Sequence, residues 1–368
     1  MHRVELHYTL RRDAREALLR HPLFDLLRAV DAHGSISAAA RALGLSYRHV
    51  WGALKRWEQE LGQALIVWEK GQHARLSPFG AKLMWAERQA QARLAPQIEA
   101  LRAELEHAFA AAFDPNVQWL ALHASHDDAL VALRAHAARH AGLHLDLRFT
   151  GSVDAIAGLN EGRCIMAGFH VRPQAPRDSI SARAYRNRLR PGRHKLIGFA
   201  RRTQGLIVAP GNPLRLTSLR DAAARQARFV LRSIGSGTRV LLHELLAAEG
   251  LPEDALAALP RAETSHSAVA EVVAAGDADA ALGIEAAARA RGLGFVPLAD
   301  EHYYLVCLQS ALEHPAVRAL RAMLATPAWQ AQLAQWAGYA PWRSGEVLSL
   351  RAELPWWRFK NPRQEGPH

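Results

Sequence analysis

The stretch GSISAAARALGLSYRHVWGALKRWEQELG, Gly34 to Gly62, decides how the first part of this chain folds. Ala38, Ala39, Ala40, Ala42 and Leu43 make a short helix of small residues behind Ser37, a possible N-cap. Gly44 supplies the positive φ that ends it. Ser46 then caps a second helix, along which Val50, Leu54, Trp57 and Leu61 recur at helical spacing. Compact alanines let the second helix cross the first steeply and leave its first turn exposed. That is the plan of a helix-turn-helix, which enters a DNA major groove N-terminus first. The plainer reading is an αα-hairpin inside a helical core.

The residues that follow favour the first reading. Leu65-Ile66-Val67-Trp68 is strand-like, Gly71-Gln72-His73 turns, and Arg75-Leu76-Ser77 returns, giving a β-wing with Lys70, His73 and Arg75 near its tip. Pro78 suits the first turn of a new helix. Tyr47, Arg48 and His49, next to the cap Ser46, would approach base edges, while Lys55, Arg56 and the wing would contact phosphates.

GSISAAARALGLSYRHVW, with its Ser46, Tyr47 and Trp51, resembles the N-terminal domain of the molybdate-responsive regulator ModE. It is also similar, more loosely, to LysR-type regulators, in which a long dimerising helix follows the wing.

Charge is unevenly placed. The formal net charge is +11, yet Gly34 to Lys82 carries seven basic residues against three acidic. Between Arg172 and Arg239 there are 16 Lys/Arg against only two acids, Asp178 and Asp221. Much of this lies in RDSISARAYRNRLRPGRHK, Arg177 to Lys195. That segment reads as a solvated surface, as a second phosphate-contacting face, or as a field attracting an anionic effector. Two cysteines, Cys164 and Cys307, imply no disulfide framework. With no signal peptide and no membrane-length apolar run, a soluble cytoplasmic chain is expected, with no membrane partner.

Before the helical pair, Val4 to Leu10 alternates like a short strand, and Pro22 to His33 turns Leu23, Leu26, Leu27 and Val30 inward on one helix. Met84 to Phe109 is a long helical stretch with Leu94, Ile98, Leu101, Leu105 and Phe109 on one face. Such a stripe suggests a dimerisation helix, in a homodimer or homotetramer, or else a helix packed on its own chain. Pro96 predicts a kink or two helices in sequence. The expected domains are therefore a winged helix-turn-helix over 1–78, a linker helix over 79–113, an α/β effector domain over 114–345 and a tail over 346–368. Asp114-Pro115-Asn116 marks the linker's end.

Beyond it, strands are expected at Val117 to His123, Leu143 to Phe149, Cys164 to His170, Gly205 to Ala209, Arg228 to Arg232, Ala280 to Gly283 and Tyr304 to Leu308. Helices separate them, which predicts an α/β domain with mostly parallel sheet. Four junctions are rich in Ser, Thr and Gly: Ser125-His126, Gly151-Ser152, Gly235 to Thr238 and Thr264 to Ser267. Each would present backbone N–H groups and hydroxyls at a helix N-terminus, a ready way to hold an anion. Arg239 could add bidentate charge.

RTQGLIVAPGNP (Arg202 to Pro213), RSIGSGTRVLLHELL (Arg232 to Leu246) and SHSAVAEVVAAGDADAALGI (Ser265 to Ile284) resemble the periplasmic-binding-protein-like domain of ModE-type regulators and of molybdenum-cofactor enzymes. The plan is similar to the molybdate-binding protein ModA. The resemblance implies lobe I over about 117–200 and 297–345, lobe II over about 201–296, and a ligand between them. It implies contacts from Ser125, Ser152, His170, Ser236, Thr238, Arg239, Ser265 and His266. The family usually shows Asn-Arg before this Gly-Ser-Gly-Thr-Arg run, where Leu231-Arg232 stands here. Asp127, Asp128 and Asp154 would repel a bare oxyanion if they faced the cleft.

The resemblance implies a regulator sensing molybdate, tungstate, molybdenum cofactor or formate, with double-stranded DNA as partner. The competing class is a cofactor or oxyanion carrier or processing protein that keeps an unused helix-turn-helix. No enzymatic role and no resident cofactor are expected. Ser236 fails the Gly-x-Ser-x-Gly spacing, and Walker A, dinucleotide and His-Glu-x-x-His motifs are missing. His136, His140 and His144 offer a weak metal spacing, for which surface histidines are the plainer account. The two tryptophans of Leu354 to Phe359 either dock on the α/β domain or form an interface patch.

Overall fold

Pro22 opens the first helix where its missing N–H costs nothing, and Gly34 closes it in the left-handed region at φ 63°. This helix, α1 (Pro22–His33), buries Leu23, Leu26, Leu27 and Val30, the residues its periodicity turns inward. Each such burial is worth about 1.5–3 kcal/mol. Helix α2 (Ile36–Ala42) follows, and its cap differs from the expected one. Ser35, not Ser37, accepts the Ala38 N–H at 3.0 Å. Ile36 is buried, so the helix must begin early enough to carry it into the core.

Helix α3 (Tyr47–Leu61) is capped by Ser46, which accepts the His49 N–H at 3.1 Å. Strands β1 (Ile66–Val67) and β2 (Arg75–Leu76) pair antiparallel as a wing, and α4 (Pro78–Phe113) leaves it. Helix α4 runs through Pro96 as one helix rather than two. This computed structural model describes residues 21–67, 74–113, 118–173 and 175–357. Val4 to Leu10, Lys70 and His73 lie outside the described residues. The chain separates into two compact units, Met1–Ala95 and Pro96–His368.

In the second unit come β3 (Gln118–Ala124), α5 (Asp128–Ala141), β4 (Leu143–Phe149), α6 (Ser152–Asn160), β5 (Met166–Val171), α7 (Ile180–Tyr185) and β6 (His194–Val208). Then follow α8 (Leu219–Ala224), β7 (Arg228–Val230), α9 (Gly237–Ala248), β8 (Ala257–Ala258), α10 (His266–Ala274), β9 (Ala280–Ile284), α11 (Glu285–Arg289) and β10 (Gly294–Leu308). Helices α12 (Pro315–Leu324) and α13 (Pro327–Ala334), short strands β11 (Tyr339–Pro341) and β12 (Val347–Leu348), and α14 (Leu350–Glu353) complete it.

The sheet order is β4-β3-β5-β10-β6-β9-β7-β8, with β11 and β12 also on β6. The expectation of a mostly parallel sheet needs correcting. Parallel pairs occur at β3–β4, β3–β5, β7–β8 and β7–β9, but β6 pairs antiparallel with β10, β9, β11 and β12, and β10 with β5. The reason is that β6 and β10 are each 15 residues long and serve both lobes. They pair with each other along their length, while the Tyr303–Cys307 half of β10 pairs with β5 and the Gln204–Val208 half of β6 pairs with β9. The fold is thus a winged helix-turn-helix followed by a two-lobed α/β domain. Trp356 of the tail docks fully buried, donating to the Ala175 carbonyl at 3.0 Å.

The capping difference is testable. Ser35→Ala is expected to lower stability by about 1 kcal/mol, and Ser37→Ala, at an exposed position, by less than about 0.5 kcal/mol. Urea unfolding followed by tryptophan fluorescence measures both; equal losses would reject the assigned cap.

Candidate functional site

Two surfaces gather the chemistry, one in each unit. In the first, α3 buries Val50, Ala53 and Leu54 and leaves Ser46, Tyr47, Arg48 and His49 exposed. Tyr47 is 52% exposed and lies parallel to Trp51, their rings 6.5 Å apart. Lys55 stands over the other end of this row, 4.8 Å from the Trp51 ring, and pairs with Glu58 at 2.7 Å. Glu58 also accepts the Leu65 N–H at 2.9 Å, tying the helix to the wing. Arg56 and Arg75 are exposed. A helix N-terminus with an aromatic, a cation and an imidazole facing water has the chemistry of a base-reading element.

The second surface lies where the parallel strands end. After β3, Asp127 caps α5 by accepting the Ala129 N–H at 2.8 Å. After β7, Ser236 caps α9, accepting the Arg239 N–H at 3.2 Å. Ser265 caps α10, accepting the Ala268 N–H at 3.0 Å. Ser125 and Ser152 hydrogen-bond each other across lobe I at 3.1 Å. These hydroxyls are therefore partly committed to local structure.

The lobes approach closely here because two junctions are glycine. A Cβ on Gly151 would lie 2.6 Å from the Gly235 carbonyl oxygen. A Cβ on Gly237 would lie 3.1 Å from His170 Nδ1 and 3.2 Å from Ser152 Oγ. The first turn of α9 thus reaches lobe I only without side chains.

Behind that contact, Arg202 of β6 forms a buried ion network. It donates to Glu301 on β10 and to Asp127, and Tyr339 donates to Asp127 at 2.7 Å. Gln204 donates to Glu301 at 2.9 Å and to Thr238 at 3.3 Å, and Thr238 reaches His266 at 3.4 Å. Asp127 is therefore buried yet neutralised. Asp128 bonds Ser267 at 3.3 Å, and burial pushes its carboxyl up.

Several polar atoms here have no partner among the described residues. They are both nitrogens of His170, Nδ1 of His266, Oε1 of Gln204, the hydroxyls of Tyr185 and Tyr303, and Nε and Nη1 of Arg232. Arg232 is 3% exposed and gives only Nη2, to the Thr264 carbonyl at 2.9 Å. Burial, then the like charge of Arg202, pushes its guanidinium down to about 9. Buried donors of a charged group left unmatched are costly, and an anion is what would match them. Burial, then Arg232, holds His126 at about 4. Burial, followed by the charges of Arg202 and Arg232, also holds His170 and His266 well below 6.5. These rings are neutral near pH 7.

Ser125, Ser152, His170, Ser236, Thr238, Ser265 and His266 are all buried at this junction. Arg239 is not aimed with them. Its guanidinium is taken up by Glu253, by His243 at 3.3 Å and by the Arg232 carbonyl at 3.0 Å. Arg232 is the guanidinium among the histidines. Sequence reasoning did not place it among the contacts, nor Tyr303 and Gln204; its signal was the Leu231-Arg232 pair just after β7, where the resembled family shows Asn-Arg. His136 bonds Gln332 at 2.8 Å and His144 packs on Trp119. Among the described residues no three His, Cys, Asp or Glu side chains are grouped to hold a metal.

Residues 133–325 match the family described as PBP superfamily domain. Residues 22–81 match the bacterial regulatory helix-turn-helix protein, lysR family. The uncharacterized protein YvgK of Bacillus subtilis is 29% identical over 201 residues, which is 55% of this chain. The chain spans 64% of the length of that relative. Among solved structures, full-length BenM is 15% identical, with 82% of this chain and 94% of that one covered and a TM-score of 0.41. CbnR, a LysR family transcriptional regulator, is 16% identical, with 82% and 98% covered and a TM-score of 0.39.

The neutral histidines make a pH prediction. Their folded pKa values lie below the unfolded value, so the stability they contribute is complete above about 6.5. It is lost as pH falls from there towards about 4, where His126 titrates. Each ring contributes a slope of up to about 1.4 kcal/mol per pH unit in that window. Thermal midpoints across this range should fall more steeply for the native chain than for His126→Gln. Parallel curves would mean that His126 is already charged in the fold.

Proposed function

Because this chain belongs to the PBP superfamily through residues 133–325, behind a LysR-family helix-turn-helix at 22–81, we propose that it is a DNA-binding transcriptional regulator gated by a small anionic effector. The observation that carries the effector class is Arg232, buried at the lobe junction with Nε and Nη1 unmatched. An oxyanion or carboxylate would accept from both. Neutral His170 and His266, Tyr303, and the Ser125–Ser152 pair would complete a mixed donor and acceptor shell. That mixture suits a ligand with donor edges as well as charge.

Within the class, the resemblance of three segments to molybdenum-associated domains favours molybdate, tungstate, molybdenum cofactor or formate. On the DNA side, Tyr47, Arg48 and His49 would read bases, while Lys55, Arg56, Arg75 and the wing contact phosphates. The α4 stripe supports self-association. Leu94 and Leu101, seven residues apart, are 41% and 58% exposed, and a partner helix would cover them. Ligand binding would hold the lobes shut and shift the population of DNA-binding assemblies.

Fluorescence anisotropy on the intergenic DNA beside the gene tests the first half. Arg48→Ala should cost about 1–3 kcal/mol on the operator and little on random duplex, whereas Arg56→Ala weakens both alike. Equal losses for Arg48→Ala on the two DNAs would reject its base-reading role. A thermal-shift panel of molybdate, tungstate, sulfate, formate and molybdopterin tests the second half. The stabilising anion should act on Arg239→Gln as on the native chain and fail on Arg232→Gln. Undiminished stabilisation of Arg232→Gln would place the pocket elsewhere.

A further inference from the structure

The basic segment between β5 and β6 is not absorbed by either site. From Arg172 to Lys195 it carries eight Lys/Arg against one acid, Asp178. Arg172, Arg177, Arg183, Arg188, Arg190 and Arg193 are exposed. Among the described residues none of the eight forms an ion pair; Arg186 and Arg188 reach only the backbone carbonyls of Arg177 and Ala184. Elsewhere in the same unit some exposed arginines are paired and others, such as Arg201, Arg215 and Arg225, are not among the described residues, but nowhere else are so many gathered in one short segment. Arg163 pairs with Glu161, Arg228 with Asp279, and Arg343 with Glu346 and Glu353.

The segment is also anchored. Tyr185 and Leu189 are buried, and Tyr185 stacks with Trp356 at 6.2 Å. Asn160 donates to the Arg188 carbonyl at 2.8 Å, and His194 accepts the Arg190 N–H at 3.0 Å. Glu244 of α9 accepts the Ser181 N–H at 2.8 Å, fixing α7 to the other lobe. The arginines therefore stand on a held scaffold. Like charges gathered with a single carboxylate among them repel one another, and guanidinium forks match phosphate oxygens in pairs.

We propose that this face of the α/β domain is a second contact surface for the phosphate backbone of duplex DNA. The proposal rests on reading the protein as DNA-binding. Duplex DNA is the polyanion that the helix-turn-helix unit would already bring to the molecule. Contacts to phosphate alone carry no sequence preference, so this surface adds salt-sensitive affinity and leaves base choice to α3.

The test uses the full chain with a fluorescent random-sequence duplex of about 60 base pairs across a salt series. Replacing Arg183, Arg188, Arg190 and Arg193 together by Gln is expected to reduce the slope of log affinity against log salt by about two to four, near 0.9 per lost phosphate contact. The same four positions as Lys should bind as the native chain does. Removing like charges at exposed positions leaves the thermal midpoint at or above that of the native chain. A native slope in the Gln variant would overturn the proposal, as would a Lys variant as weak as the Gln one. So would an unchanged slope accompanied by altered sedimentation of the protein alone, which would mark a contact between copies of this chain. Arg56→Ala run in parallel separates the two readings. If it binds like the native chain while the Gln variant loses slope, the reader assignment fails and the basic face stands.

Discussion

The α/β domain depends on how Arg202 is held. It lies on β6 where that strand passes between lobes, fully desolvated, with Glu301 of β10 and Asp127 of α5 on either side. Burial alone would lower its pKa, but Glu301, Tyr339 and Asp127 more than offset this and hold it well above the ordinary value. A buried pair gains little over an apolar core, yet removing one member leaves an uncompensated charge costing several kcal/mol. Here the members are satisfied in a chain running from Asp127 through Arg202, Glu301 and Gln204 to Thr238 and His266. The same residues join the two crossing strands and reach the cleft.

Arg232 is the counterpart. It is as deeply buried as Arg202 but has only a carbonyl partner among the described residues. One guanidinium is matched within the fold, and the other keeps Nε and Nη1 without a partner among the described residues. This also accounts for the acids near the junction. Asp127 lies inside but is matched by Arg202, and Asp128 is turned to Ser267, so neither presents a bare carboxylate to the histidines.

In the first unit the ordering principle is apolar. α1 and α2 supply Leu27, Val30, Ala39 and Ala40 as a floor, and α3 lies on it through Val50 and Leu54. Everything on the opposite side of α3 is free to be chemical, which is why Tyr47, Arg48 and His49 face water.

Local signals sufficed where the interaction is local. The range of α1, the Ser46 cap, the glycine turn at Gly44, strand β4 and the helix starts at Ser236 and Ser265 were legible from the sequence alone, because periodicity and capping are written within a few residues. Tertiary structure decided the rest. Ser35 displaced Ser37 because Ile36 had to be buried; β6 and β10 extended through both lobes because each finds partners far away in sequence. Arg239 was drawn to Glu253, 14 residues on, leaving Arg232 among histidines from three other elements. Burial and charge neighbourhood are properties of the assembled chain, and no window of sequence contains them.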